Sequence, residues 1–135
     1  MTKRRRPRSP VWIDERDALA IHQRVLALEG GPQGVRDHAL LQSALAKPRQ
    51  LHACGDNPDI VDMAAAYAIG IIRNHPFLDG NKRTGFVIAV LFLEINGYHF
   101  NATEEAAAQI VLSLAAGKMD DDAFAAWMRA NVKRQ

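Results

Sequence analysis

Two long apolar runs, Met63 to Ile72 and Gly85 to Leu93, lie near the middle of the chain with a strongly polar segment between them. Both fall short of the ~18–20 residues a membrane span needs, so each predicts a buried helix. The second run has no polar residue, and a helix apolar all round should be central and surrounded. The remaining elements follow from periodicity and stop signals. Asp14 is an N-cap, with Glu15 and Asp17 in the first turn of a helix whose apolar positions include Leu19, Val25, Leu26 and Leu28. His22 lies among them as a packed or solvated side chain, and Gly30-Gly31-Pro32 ends the helix. Arg36 to Ala46 predicts a second, shorter helix stopped by Pro48. Residues 47–58 carry little pattern and predict the longest internal loop. Asn57-Pro58 should open a third helix, which ends near Asn74-His75 because Pro76 disfavours helical geometry in the residue before it.

The fourth helix should run from Asn81 to about Asn96, with Gly97 as its stop. Tyr98-His99-Phe100 alternates briefly and predicts a short extended piece. Thr103 caps a fifth helix ending at Gly117. Asp120 to Asp122 opens a sixth, with Phe124, Trp127, Met128 and Val132 on its buried side. The expected fold is all-α: one bundle of about six helices around a central buried helix, with a short extended piece.

At 135 residues the chain fits one domain, expected at 13–135 behind a basic tail at 1–12. The net charge of +2 hides a division. Lys3, Arg4, Arg5, Arg6 and Arg8 supply five of the 17 cations, and the rest of the chain sets 12 against 15 acids, a net −3. Such a tail can reach nucleic acid or an acidic partner, although a solvated terminus is the plainer reading. The basic start leads into Ser9-Pro10-Val11 and not into an apolar stretch, so no signal peptide and a cytoplasmic protein are expected. The single Cys54 excludes an internal disulfide and suggests a reducing compartment. His52-Ala53-Cys54 is half a metal site that nothing else in the sequence completes.

Candidate chemistry concentrates in His75-Pro76-Phe77-Leu78-Asp79-Gly80-Asn81-Lys82-Arg83-Thr84. Backbone N–H groups opening the fourth helix lack partners within it and can receive an anion. Arg83 adds a fork suited to phosphate oxygens and Lys82 a point charge. Asp79 is the kind of carboxylate that holds magnesium against phosphates. Asn81 can fix the loop or a phosphate, and Phe77 can plug the loop into the core. His75 carries an imidazole, the side-chain type suited to taking a proton from a hydroxyl. Base, metal carboxylate and anion site together describe transfer of a phosphorus-containing group from a nucleotide to a hydroxyl. The segment is neither a Walker A loop nor a Rossmann fingerprint.

The stretch His75 to Arg83 closely resembles the Fic superfamily signature, His-Pro-Phe-x-Asp/Glu-Gly-Asn-Gly-Arg, and Lys82 in place of the last Gly is the mark of its death-on-curing (Doc) branch. The resemblance implies a Fido fold with a short extended flap or hairpin. It implies His75 as the base, Phe77 as loop anchor, Asp79 as the magnesium ligand, and Gly80, Asn81, Lys82 and Arg83 around the phosphates of ATP. Lys82, together with Phe86 where the Fic pattern has a second Arg, favours transfer of the terminal phosphate. Pro76 and Gly80 are Fic-consensus residues, so adenylylation stays open. The family further implies a separate antitoxin with a helix in an apolar groove, since no Ser or Thr here has Glu four residues later to form an internal brake. It implies a target in the translation machinery, by analogy elongation factor Tu, and a target-docking flap at 47–58. A non-catalytic module that holds nucleotide, or nucleic acid through the Arg-rich tail, is the reading of another class.

Overall fold

The computed structural model describes residues 9–135. Lys3 to Arg8 of the basic tail lie outside the described residues. Six helices follow the expected order: α1 (Glu15–Glu29), α2 (His38–Cys54), α3 (Ile60–Asn74), α4 (Asn81–Ile95), α5 (Glu104–Ala115) and α6 (Asp121–Ala130). Two strands, β1 (Tyr98–Phe100) and β2 (Val132–Arg134), pair antiparallel with Tyr98 opposite Arg134 and Phe100 opposite Val132. The expected extended piece is therefore one half of a small sheet. Val132, expected on the sixth helix, belongs to the other half. No helix among the described residues is long and apolar enough to cross a membrane.

Five helices begin on a side-chain cap. Asp14, Asp37, Asp59, Thr103 and Asp120 each accept a bond from the backbone N–H three residues on. The third helix thus starts on Asp59 and not on Asn57-Pro58. The carboxylate at 59 wins because Asp62 reciprocates onto its backbone and Arg129 of α6 clamps both acids. The fourth helix has no such cap: it opens on Gly80 in the left-handed region (φ 78°).

Two expectations from the apolar pattern need correction. The second helix does not stop at Pro48 but continues to Cys54, so no long loop fills 47–58 and only residues 55–59 separate α2 from α3. A proline removes one N–H from a helix without forbidding the turns beyond it, given contacts that hold them. Here Trp12 supplies those contacts. Arg49 lies 5.1 Å over its ring and His52 meets it edge-on at 5.6 Å. Trp12 in turn stacks on Phe92, and Val11 donates its N–H to the Asn96 side chain, so the chain is already anchored at 11–12.

The central helix is α3 and not α4. Ten of the 15 residues of α3 are buried, against seven of 15 in α4, whose Leu91 and Ile95 reach solvent. The alanines and Gly70 of α3 let neighbours approach from several sides. A Cβ on Gly70 would lie 3.1 Å from the Ala44 Cα of α2, and one on Gly85 of α4 would lie 3.2 Å from the Ala68 carbonyl oxygen.

Tyr67 of α3 ties the incoming chain to this centre. Its hydroxyl accepts from the Ile13 N–H at 2.9 Å and donates to the Ile13 carbonyl at 3.1 Å. Burial pushes its pKa up to about 12, against about 10 in an unfolded chain. Between those values the unfolded chain has lost the proton while the folded one keeps it. Stability should therefore fall as pH rises from about 10 to about 12. Urea midpoints measured across that range should show the fall, and the stability gap between the wild type and Tyr67→Phe should narrow with it.

Candidate active site

His75 follows the last residue of α3 in the left-handed region (φ 54°, ψ 52°), its N–H bonded to the Ile71 carbonyl. Pro76 explains why the helix stops there, and the left-handed turn throws the His75 side chain out to an exposed position. Phe77 then turns inward and is fully buried. Asn81 fixes the turn between them: its Oδ1 accepts from the Phe77 N–H at 2.9 Å and its Nδ2 donates to the Phe77 carbonyl at 3.0 Å. Of the two uses expected for Asn81, the structure shows the loop-fixing one. The amide is 3 % exposed.

Gly80 then opens α4. The Thr84 N–H reaches back to the Gly80 carbonyl, so the three N–H groups without a helical partner are those of Asn81, Lys82 and Arg83. With no side chain capping them they make a positive end, and the helix dipole adds to it. Lys82 and Arg83 are exposed around this end. Arg83 Nε lies 3.4 Å from the Glu29 carboxylate at the end of α1. Asp79 turns its Oδ1 to the Gly80 N–H at 2.9 Å.

These groups share one cavity of about 530 Å³. Its polar side is His75, Asp79, Gly80, Asn81, Lys82 and Arg83; its apolar side is Phe86 and Val87 of α4 with Ala107, Ala108, Val111 and Leu112 of α5. Glu104 and Glu29 also line it. The arrangement brings an exposed imidazole, a carboxylate and a helix N-terminus without a side-chain cap among the described residues to one opening beside an apolar wall. The helix N-terminus with Lys82 and Arg83 can receive phosphate oxygens, and the apolar wall can receive an attached ring system.

Several supporting residues lie far from the motif in sequence. Residues 34–37 run antiparallel to 76–78: Arg36 and Asp37 donate their N–H groups to the Pro76 carbonyl, and Leu78 donates to the Gly34 carbonyl at 3.1 Å. The Arg36 guanidinium donates to the His75 carbonyl at 2.7 Å and to the Asn74 carbonyl at 3.0 Å, closing the end of α3. His22 of α1 is buried, with its ring flat on Phe77 at 3.8 Å. One signal for it was present: a His where Ala18, Val25 and Leu26 mark the inward face of α1. Nothing local marked Arg36, Glu29 or the α5 wall.

The model of the Fic/DOC family matches residues 12–93, and the chain belongs to that family. The match spans α1 to α3, the whole motif and α4 as far as Leu93. The chain is 37% identical over 92 residues to a protein named Toxin Doc from Mycolicibacterium smegmatis (strain ATCC 700084 / mc(2)155), covering 67% of this chain and 68% of that one. It is 26% identical over 117 residues to Protein kinase doc of Escherichia phage P1, covering 87% of this chain and 92% of that one. Both relatives carry the Doc name, the branch to which Lys82 pointed.

Proposed function

We propose that this protein is a toxin that transfers the terminal phosphate of ATP to a hydroxyl of a protein in the translation machinery. One observation carries the reading: the imidazole at the end of α3 and the uncapped N-terminus of α4 open on the same cavity. His75 takes the proton of the target hydroxyl. The hydroxyl oxygen bonds to the terminal phosphorus, the bond from that phosphorus to the bridging oxygen breaks, and ADP leaves. The N–H groups of Asn81, Lys82 and Arg83, with the two cations, hold phosphate oxygens. Arg83 exchanges Glu29 for them.

Asp79 suits magnesium by its chemistry. It is a hard carboxylate at the cavity edge, and its Oδ2 makes no hydrogen bond among the described residues. Magnesium bound there would neutralise charge on the phosphates. Phe86 gives the cavity an apolar wall where a second Arg would serve an adenylylating pose, which favours the terminal phosphate. The names of the relatives, a toxin and a protein kinase, support the same activity. An antitoxin has a fitting place. A second, mainly apolar cavity of about 400 Å³ between α1 and α4 is lined by Ile21, Val25, Leu28 and Val87, with Arg24, Glu29 and Arg83 also lining it and Leu28 84 % exposed.

The test is a cell extract with magnesium and ATP labelled at either the terminal or the alpha phosphate. Terminal label on a protein band is the expected result, and the labelled band identifies the target. Alpha label would replace this reading with adenylylation. Neither label, with a relative's known target added as a check, would leave a binding module.

A further inference from the structure

Three features of α1 and the loop after it converge on Asp79. First, His22 Nε2 lies 2.8 Å from the Asp79 main-chain oxygen. A carbonyl can only accept, so Nε2 carries the proton and donates it. Second, the same ring lies flat on Phe77, the two planes 9° apart. It therefore grips the motif turn at two points, two residues apart. Third, Gly31 lies against the Asp79 carboxylate: a Cβ there would meet Oδ2, and that oxygen would have to shift. An apolar ring would fill the His22 site without the cost of burying an imidazole. The polar atom it carries is spent on the residue before Gly80.

We infer that His22 is a positioning residue for the Asp79 carboxylate: its bond to the Asp79 carbonyl sets the turn, while its stack on Phe77 seats the ring for that bond. The inference rests on Asp79 as the metal carboxylate proposed above. Its direct consequence in the protein alone is the Asp79 Oδ1 bond to the Gly80 N–H.

Two substitutions separate the donor from the ring. His22→Phe keeps a stacking ring and removes the donor; His22→Gln keeps a donor at similar reach and removes the ring. Two readouts are taken on each, together with the melting temperature: hydrogen exchange of the Gly80 amide without ligand, and the affinity for Mn²⁺ in the presence of ATP by electron paramagnetic resonance. His22→Phe should expose the Gly80 amide and weaken Mn²⁺ by about 10-fold or more, as loss of an outer-shell partner does. His22→Gln should keep most of both. Wild-type exchange and affinity in His22→Phe would overturn the inference. So would equal losses in the two variants that merely track the melting temperature. If His22→Phe fails to fold, His22→Leu replaces it as the variant without a donor: losses in His22→Leu that His22→Gln does not share support the inference, and wild-type readouts in His22→Leu overturn it. A wild type that binds no Mn²⁺ with ATP would sink the metal role of Asp79, while the Gly80 amide would still decide whether His22 sets the turn.

Discussion

His75→Ala and His75→Asn should each slow phosphate transfer by about 10²–10⁴-fold, the worth of a positioned base. The two are chosen together because of the backbone. Residue 75 sits at φ 54°, where alanine is strained and asparagine is tolerated. Alanine alone could lose activity through the turn; asparagine keeps the turn and still cannot act as a base near neutrality. Nucleotide binding, read from a fluorescent ATP analogue, should change little in the asparagine variant, because in the proposed activity the phosphate groups meet α4 and not the imidazole. Rates fitted from terminal-label transfer decide the matter. An asparagine variant with wild-type turnover would remove His75 from the mechanism.

Phe77→Ala should cost about 3–5 kcal/mol of stability, the usual range for emptying a buried aromatic site. The ring is fully buried, lies on His22 and is framed by the bonds from Asn81 to its own main chain. Those bonds belong to the backbone and survive the truncation, but the cavity left behind undermines the turn they define. Urea unfolding followed by circular dichroism would give the loss. Activity per folded molecule should also fall, since Asp79 and Gly80 stand on the same turn. A loss under 1 kcal/mol would mean that the site collapses around the gap and that Phe77 is not its anchor.

The motif and the helix order were legible because both are local. Polar residues between two apolar runs, a Pro after His75 and a Gly before Asn81 fix where α3 stops and α4 starts without reference to the rest of the chain. What stayed hidden depends on partners distant in sequence. Pro48 reads as a helix stop unless Trp12 is known to fold across the turns beyond it. An all-apolar stretch at 85–93 reads as surrounded, yet one side of it faces solvent and part lines a cavity. Asn57-Pro58 and Asp59 are both good helix starts; Asp62 favours the second locally, and the clamp that Arg129 adds comes from 70 residues away. Val132 reads as a helix position until Phe100 is seen opposite it. The Arg36 bonds to the end of α3 and the α5 side of the cavity leave no mark on local pattern at all.

The close approach of α2, α3 and α4 at Gly70 and Gly85 has a consequence for the entropy of encounter. Helices packed this closely leave little room for larger side chains to be inserted between them, and the short turn at residues 75–80 sets the spacing between the end of α3 and the start of α4. If the spacing is preset in this way, the proposed activity would leave most of the ordering to the arriving molecules. Under the proposed activity, the rate differences between one target and another would reflect how much of the target's own hydroxyl-bearing segment must be frozen to reach His75.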